Sequence, residues 1–162
     1  MIAQIRIGQG LDVHAFEEGD FVTLAGIQIP HTQGLKAHSD GDVILHALCD
    51  ALLGALALGD IGQHFPDTDP RYEGADSLQL LAEVRALVAD KDYVIGNVDA
   101  TIVAQRPKMK DYIPQMEENI ARVLGVDLEQ VNVKATTEEK LGFTGTEQGI
   151  SAYAVAGIEP EQ

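Results

Sequence analysis

Alternating apolar and polar residues predict β-strands in five parts of the chain. In 4–16, Ile5 and Ile7 alternate with polar neighbours, and 21–29 (FVTLAGIQI) alternates in the same way. Three further strands are predicted at 94–104, 131–136 and 150–158. Because successive side chains of a strand point to opposite faces, this alternation indicates a sheet with one buried face.

Apolar residues at helical spacing predict three helices. The longest follows the loop 31–42 and runs to about Leu58, with Ser39 or Asp40 as its candidate N-cap. The other two helices are predicted at 77–89 and 111–124. Gly, Pro and Asp are frequent in 60–76, which is therefore predicted to be a loop.

The order of these elements predicts the fold class. Strands that alternate with helices indicate a two-layer α/β (α+β) fold, with a single mixed β-sheet and the helices on one face. The chain has 162 residues, a length that suits one domain. We therefore expect 1–162 to fold as a single unit.

The chain is strongly acidic, with 26 Asp and Glu residues against 11 Lys and Arg residues and a net charge of −15. This charge argues against nucleic acid or an anionic membrane surface as a partner. A small anionic substrate remains compatible with it if metal ions or a few Lys residues supply local positive charge.

Cysteine usage and the N-terminal sequence bear on the compartment. The single cysteine, Cys49, cannot form an internal disulfide, which fits a reducing cytosol. The first residues, MIAQIRIGQG, lack the basic start and long apolar core of a signal peptide. We therefore expect a soluble cytoplasmic protein.

A carboxylate and an imidazole lie two residues apart in GLDVHAF (10–16). Residues i and i+2 of a strand share a face, so Asp12 and His14 can converge on one metal ion. His46, within an apolar helix, is a candidate third ligand. One Asp and two His residues leave one position of a tetrahedral zinc ion open, as catalytic zinc sites do. A solvated Asp–His pair and a core histidine satisfied by hydrogen bonds are the alternatives.

Three neighbours of His46 bear on this hypothesis. Asp42 and Asp50 lie one helical turn to either side, and either carboxylate could orient the imidazole. Asp42 could instead serve as a charge at the helix N-terminus. Cys49 is an alternative ligand, although a small buried hydrophobic residue is its better interpretation.

Three polar segments suit an anionic ligand. In 37–42 (AHSDGD), before a predicted helix, backbone amides favour an anion, and His38 and Ser39 can donate to a phosphate. KATTEEK (134–140) has the hydroxyls, carboxylates and cations that suit a phosphate with its divalent cation. RPKMK (106–110) is the one basic cluster. A capping sequence and polar surface loops are the alternatives for these segments.

Several motifs together resemble one enzyme family. They are GLDVHAF, AHSDGDVILHAL, LGDIG, FPDTDP, NVDATIVAQRPKM and VNVKATTEEKLGFTG, which extend from about Ile5 to Ile158. In this order and spacing they resemble the 2-C-methyl-D-erythritol 2,4-cyclodiphosphate synthase family of the non-mevalonate isoprenoid pathway. No complete motif of a P-loop protein, an HExxH metalloprotease or a GxSxG hydrolase is present.

The resemblance implies a zinc-dependent lyase that acts as a homotrimer with active sites between adjacent subunits. Its members convert 4-diphosphocytidyl-2-C-methyl-D-erythritol 2-phosphate to the cyclic diphosphate and release CMP. Asp12, His14 and His46 would hold zinc, and Glu139 would hold a second cation, Mg²⁺ or Mn²⁺, on the substrate diphosphate.

The resemblance also implies which residues contact the substrate. His38 and Thr137 would stabilise the transition state. The phosphate and the methylerythritol would meet Asp12, His14, His38, Ser39, Asp60, Ile61, Gly62, Phe65, Pro66, Asp67, Thr68 and Asp69. The cytidine and diphosphate would meet residues of the neighbouring subunit, namely Ala104, Gln105, Arg106, Pro107, Lys108, Met109, Thr136, Thr137, Glu138, Glu139 and Phe143.

The sequence departs from the family pattern at three positions. Glu138 stands where a third Thr is expected, and Thr146 and Gln148 stand where many relatives carry Arg and Glu. The resemblance places these last two residues at the threefold axis, where the Arg can hold an isoprenoid diphosphate in a central cavity. We therefore expect weak or no binding of such a ligand.

Two other functions are compatible with the same residues. One is a zinc-dependent phosphohydrolase, which needs a metal-bound water and a positioned base such as His38 or a nearby Asp. The other is a trimeric protein that binds nucleotide or metal without catalysis. Retention of the three ligands together with His38 and Thr137 argues against the second of these.

Overall fold

The computed structural model describes residues 4–162. It contains seven strands: β1 (Arg6–Glu18), β2 (Phe21–Leu24), β3 (Ile27–Pro30), β4 (Gln33–Leu35), β5 (Tyr93–Val103), β6 (Val131–Thr136) and β7 (Gly149–Pro160). It contains five α-helices: α1 (Val43–Ala55), α2 (Ile61–His64), α3 (Ser77–Asp90), α4 (Ile113–Leu124) and α5 (Gly142–Gly145). Short 3₁₀ turns lie at Pro70–Tyr72, Lys110–Tyr112 and Leu128–Gln130.

Five of the strands form one mixed sheet in the order β4-β1-β7-β5-β6. β5 and β6 are parallel, and the other neighbouring strands are antiparallel. The predicted α+β class and mixed sheet are therefore confirmed. In the pairing of β1 with β7, Asp12 lies opposite Ala152.

The stretch 21–29, predicted as one strand, is a hairpin of β2 and β3 outside the main sheet. The chain reverses at Ala25 and Gly26, whose φ angles are 51° and 77°. The expectation of a single sheet was therefore wrong, because alternation continues across a two-residue turn without a visible break. The elements β4, α2 and α5 were also missed, since three or four residues are too few to show a period.

The long helix begins later than predicted. Asp42, and neither Ser39 nor Asp40, is its N-cap, and its carboxylate accepts a hydrogen bond from the backbone N–H of Leu45. The same fully buried carboxylate accepts from the N–H groups of Ala25 and Gly26 at 2.9 Å. Asp42 therefore joins the start of α1 to the turn of the hairpin.

α1 packs directly against the backbone of β1. A Cβ atom on Gly8 would lie 1.8 Å from the carbonyl oxygen of Ala51, and one on Gly10 would lie 1.8 Å from that of Ala47. Any side chain at these two positions would push the helix away from the strand. This close approach brings the first turns of α1 beside Asp12 and His14.

The helices cover one face of the sheet, and the core lies between the two layers. α1 packs on β1 and β7, α4 packs on β6, and α3 lies beside both helices. On the opposite face the strands expose apolar side chains, which are Ile7, Leu11, Val13, Tyr153 and Val155. Among the described residues, no helix has the length and apolar character needed to cross a membrane.

Candidate metal centre and active site

Asp12 and His14 of β1 lie close to His46 of α1, where the helix packs against the strand. Oδ2 of Asp12 lies 3.0 Å from Nε2 of His14 and 2.9 Å from Nδ1 of His46. The two ring nitrogens are 3.4 Å apart. One ligand atom from each residue thus lies within 4.8 Å of the other two. The structure brings together the three residues that the sequence singled out, and they could hold a divalent metal ion.

Both imidazoles are oriented by hydrogen bonds on their far side. Nδ1 of His14 lies 3.0 Å from the carbonyl oxygen of Lys36, which can only accept, so this nitrogen donates. Nε2 of His46 lies 2.8 Å from Oγ of Ser77 and 3.2 Å from Oγ of Ser39. The nitrogens that face Asp12 are therefore left to bind a metal, as is usual for metal-binding histidines.

Asp42 and Asp50, whose carboxylates were predicted to orient His46, have other hydrogen-bond partners. Asp42 holds the hairpin turn and the start of α1, and Asp50 accepts a hydrogen bond from the backbone N–H of Ile61 at 2.8 Å. Asp40 reaches His46 instead, through Ser77. Sequence reasoning missed Ser77 because it lies thirty-one positions from His46 and its spacing carries no signal. Cys49 is buried and is not part of the metal-binding group.

Charge at the centre favours a cation. Burial tends to raise the pKa of Asp12, but hydrogen bonds with His14 and His46 and the charges of both imidazoles lower it to about 2. Burial tends to lower the pKa of His46, but its hydrogen bond to Asp12 and the charges of Asp12, Asp42 and Asp40 raise it overall. The carboxylates thus stabilise positive charge here, supplied either by a proton or by a metal.

The three residues line a cavity of about 200 Å³. Its wall includes the predicted residues His38, Ser39, Ile61, Phe65 and Asp67, together with Tyr72 and Leu80, which were not predicted. Tyr72 packs edge-on against Phe65, with ring centroids 5.3 Å apart. An aromatic residue shortly after FPDTDP was the only available signal for Tyr72, and Leu80 has the spacing of an ordinary core residue.

Other predicted residues of this half lie in the same segment but do not line the cavity. Asp60 caps α2 by accepting from the N–H of Gln63, and Asp69 pairs with the exposed Arg71 at 2.7 Å. The remaining members are Gly62, Pro66 and Thr68. They are close in sequence to Ile61, Phe65 and Asp67, which do line the cavity.

A second, larger cavity of about 670 Å³ lies at the ends of β5 and β6. It is lined by the predicted residues Ala104, Gln105, Pro107, Lys108, Met109, Thr136 and Thr137, and also by Lys110, Ile113, Val133, Lys134 and Ala135. Three lysines and no acidic residue are among these side chains, which gives an otherwise acidic protein a basic pocket. Such a pocket suits an anionic ligand.

Four predicted residues lie outside this lining. Arg106 faces Glu147 at 3.9 Å, and Glu138, Glu139 and Phe143 are exposed. Glu139 has a positive φ of 56°, and its N–H donates to Oγ1 of Thr137 at 3.2 Å. The structure thus places Glu139 next to Thr137 but not in the group of Asp12, His14 and His46.

The residues predicted for one substrate site line two different cavities of the chain. His38 lines the first cavity and Thr137 lines the second, and no residue is shared by the two walls. His38 and Thr137 therefore do not line the same cavity of the chain.

The structure is a mixed-sheet α+β domain in which an Asp-His-His group beside a cavity could hold a divalent metal. Residues 5–159 match the YgbB family, and the chain belongs to that family. It is 68% identical over 158 residues to the 2-C-methyl-D-erythritol 2,4-cyclodiphosphate synthase of Acinetobacter baumannii (strain ACICU), which covers 98% of this chain and 99% of that protein. The resemblance seen in the motifs and the enzyme class it implies are thereby confirmed.

Solved structures show the same fold. IspF of Plasmodium falciparum, described as a CDP complex, has a TM-score of 0.86 and 38% identity, with full coverage of both chains. The bifunctional IspDF of Campylobacter jejuni has a TM-score of 0.94 and 45% identity over 98% of this chain. The chain spans only 43% of that bifunctional protein.

Proposed function

We propose that this protein converts 4-diphosphocytidyl-2-C-methyl-D-erythritol 2-phosphate into 2-C-methyl-D-erythritol 2,4-cyclodiphosphate and CMP. The observation that carries the proposal is the Asp-His-His group in the wall of a cavity that also includes His38 and Ser39. The name shared by the close relatives supports this reaction. We infer that the chain acts as one domain over 1–162.

Zinc is the metal that best fits the three-residue group. One carboxylate and two imidazoles, each imidazole held by a donor bond on its far side, are a common ligand set of catalytic zinc. A bound zinc would withdraw charge from the phosphate oxygens. Glu139, beside Thr137, is our candidate for a second cation, Mg²⁺ or Mn²⁺, on the diphosphate.

The reaction requires few chemical groups from the protein. An oxygen of the 2-phosphate attacks the phosphorus to which the methylerythritol is attached in the diphosphate, a new P–O bond closes the ring, and the bond to CMP breaks. The attacking oxygen is ionised at neutral pH, so no general base is needed. Positioning and neutralisation of charge then supply the catalysis. His38 and Ser39 would hold the phosphate, and Thr137 would donate to the transferring group.

The basic cavity is our candidate for the cytidine and its phosphates. Lys108 and Lys110 supply positive charge, while Lys134 is paired with Asp99. Ala104, Gln105, Pro107 and Met109 form part of the wall. The relative from P. falciparum is described as a CDP complex, which supports a cytidine nucleotide as the ligand class. Because this cavity is separate from the metal centre in one chain, we place it opposite the metal centre of a neighbouring subunit.

A homotrimer would supply that neighbour. The outer face of β1 and β7 exposes the apolar side chains Ile7, Leu11, Val13, Tyr153 and Val155, and a group of exposed apolar side chains of this kind is typical of an interaction surface. On one face of a sheet these side chains are adjacent, since Leu11 lies opposite Tyr153. We propose that three copies bury this face around a common axis.

We place the protein in the cytoplasm. Its lone cysteine, Cys49, is buried in α1 and has no partner for an internal disulfide in the 162-residue sequence.

The deciding experiment is incubation with the cytidyl substrate, Zn²⁺ and Mg²⁺, followed by ³¹P NMR. Cyclic diphosphate with an equal amount of CMP is the expected result. Release of inorganic phosphate would instead indicate a phosphohydrolase. Nucleotide binding without any product would indicate a binding protein and would refute the proposal.

A further inference from the structure

The hydroxyl of Ser77 lies between an imidazole of the metal centre and a carboxylate. Its Oγ is 2.8 Å from Nε2 of His46 and donates to Oδ1 of Asp40 at 2.6 Å. Ser77 is fully buried at the start of α3, so water does not compete for either bond. The resemblance gives no role to Ser77 or to Asp40.

The carboxylate sets the direction of both hydrogen bonds. An ionised Asp40 can only accept, so Ser77 must give it the single hydroxyl proton. The oxygen of Ser77 can then only accept from Nε2 of His46. A proton on Nε2 leaves the lone pair on Nδ1, the nitrogen that lies 2.9 Å from Oδ2 of Asp12.

We propose that Asp40 and Ser77 are positioning residues that hold His46 in the tautomer whose Nδ1 binds the metal. We refer to this pair as the Asp40–Ser77 relay. The inference rests on the metal centre of the proposed function. Partners of this kind on metal-binding histidines typically change metal affinity about 10- to 100-fold.

The relay also leaves Ser39 available to the substrate. Ser39 Oγ is 3.2 Å from Nε2 of His46, farther than Ser77 Oγ. Because Ser77 accepts the hydrogen bond from the imidazole N–H, the Ser39 hydroxyl can donate to a phosphate oxygen. Asp40 in addition accepts from the N–H of Ser77 at 2.9 Å and of Asp42 at 3.1 Å, so the loop with His38 and Ser39 is tied to the same group.

Two variants test the relay by zinc affinity, measured in competition with a chromophoric chelator. Ser77→Ala removes the hydroxyl but keeps the backbone bond to Asp40, and zinc should bind about 10- to 100-fold more weakly. Asp40→Asn replaces a carboxylate that can only accept by an amide that can also donate to Ser77, so the direction of the relay is no longer fixed. This variant should also weaken zinc binding.

Asp76→Ala is the matched control. Asp76 caps the same end of α3 by accepting from the N–H of Leu78 at 2.9 Å, and it does not contact His46. Its removal perturbs the helix terminus without touching the relay. Zinc affinity should therefore stay unchanged in Asp76→Ala.

A spectroscopic measurement separates positioning from a general loss of structure. In the Co²⁺-substituted protein, the ring N–H protons of His14 and His46 should give two hyperfine-shifted ¹H NMR signals that exchange slowly with water. In Ser77→Ala the His46 signal should be lost to exchange. The His14 signal, protected by Lys36, should persist and serve as the internal control.

The failures of the two proposals are distinguishable. Equal zinc affinity and a retained His46 N–H signal in Ser77→Ala would overturn the relay and leave the cyclase proposal intact. Absence of zinc binding by the unmodified protein would overturn both. If Ser77→Ala does not fold, as judged by circular dichroism, Asp40→Asn provides the same two measurements.

Discussion

At the residue scale, the metal centre depends on polar side chains that hold each other in place. Asp12 contacts both imidazoles, and each imidazole has a separate partner on its other nitrogen. No one of these bonds is strong alone, since a typical hydrogen bond contributes about 1 kcal/mol net. Together they hold the three ligand atoms within 4.8 Å of one another.

Replacement of His46 by Ala should remove zinc and abolish cyclisation, because Asp12 and His14 alone leave two ligands. Zinc content by atomic absorption and product formation by ³¹P NMR are the measurements. Glu139→Gln is the contrast: its zinc content should stay unchanged while activity falls and the Mg²⁺ requirement rises. Stoichiometric zinc in a folded His46→Ala protein would contradict the ligand assignment, and zinc loss in Glu139→Gln would contradict the separation of the two cations.

Asp42 should make stability depend on pH. Burial, with the nearby charge of Asp40, raises the pKa of Asp42 from 3.8 to about 7, against the hydrogen bonds from Gly26 and Ala25. The folded protein therefore binds the Asp42 proton more tightly than the unfolded chain does. The contribution of Asp42 to the free energy of unfolding is fully present below about pH 4 and is lost as the pH rises towards and through about 7.

Asp42→Asn is the matched variant, because Asn does not titrate. The free energy of unfolding of both metal-free proteins is measured in urea. From pH 4 to pH 7 it should fall for the unmodified protein relative to this variant. Above that range the difference should level off. A difference that stays constant with pH would show that Asp42 titrates normally.

At the scale of elements, the pairing of α1 with β1 sets the geometry of the centre. Gly8 and Gly10 let the helix backbone approach the strand, and His46 projects from that helix towards Asp12 and His14. The hydrophobic contacts between the layers supply the stability. The absence of a side chain at Gly8 and Gly10 allows the short distance between α1 and β1.

Gly10→Ala should therefore impair both stability and metal binding. The added methyl would lie 1.8 Å from the carbonyl oxygen of Ala47. The backbone of β1 or of α1 would have to move to relieve this overlap, which costs free energy. We expect a loss of about 1–3 kcal/mol or more in unfolding free energy. Zinc affinity should fall as well, because His46 moves with α1.

Gly54→Ala is the control, because Gly54 lies in α1, the helix against which Gly10 packs. A methyl there would have no neighbour nearer than 3.9 Å, and Ala favours a helix over Gly by about 1 kcal/mol. This variant should be as stable as the unmodified protein or more so, with zinc affinity unchanged. Equal behaviour of the two variants would contradict the close-packing argument.

At the scale of the whole molecule, two cavities and one apolar sheet face have to be reconciled. The metal cavity and the basic cavity share no wall residue, and the outer sheet face is uncovered in one chain. Burial of that face between copies resolves both observations if it also places the two cavities of neighbouring chains face to face.

Subunit mixing tests this arrangement. His46→Ala damages the metal cavity and Lys108→Ala damages the basic cavity, so each protein alone should be inactive. Mixed trimers should regain part of the activity, because some of their sites combine two intact halves. No recovery, after subunit exchange has been demonstrated by mass spectrometry, would argue that each site lies within one chain.

The departure at Thr146 and Gln148 gives a second prediction at this scale. The Thr146 hydroxyl already donates to the carbonyl oxygen of Gly142 at 2.9 Å, and Gln148 donates to Thr146 at 3.0 Å. Neither side chain carries the charge with which an Arg binds a phosphate. Calorimetric titration with geranyl diphosphate should therefore show weak or no binding, and Thr146→Arg/Gln148→Glu is the comparison. Tight binding at the axis by the unmodified protein would be the contrary result.

Much of the site was predictable from sequence because it is local. Asp12 and His14 share a strand face by their spacing alone, and His46 stands out as a polar residue in an apolar helix. The helix and strand assignments succeeded for the long elements. They failed at the Ala25–Gly26 turn, across which the alternation continues, and at β4, where too few residues repeat.

What the sequence by itself determined is therefore the class of fold, the family and the three residues that could hold a metal, since periodicity and motif spacing are properties of neighbours along the chain. Only the tertiary structure decided that Ser77 and Asp40, and neither Asp42 nor Asp50, orient His46. It alone also showed that His38 and Thr137 belong to separate cavities. These facts depend on contacts between residues far apart in sequence, and such contacts arise only when the helices pack onto the sheet.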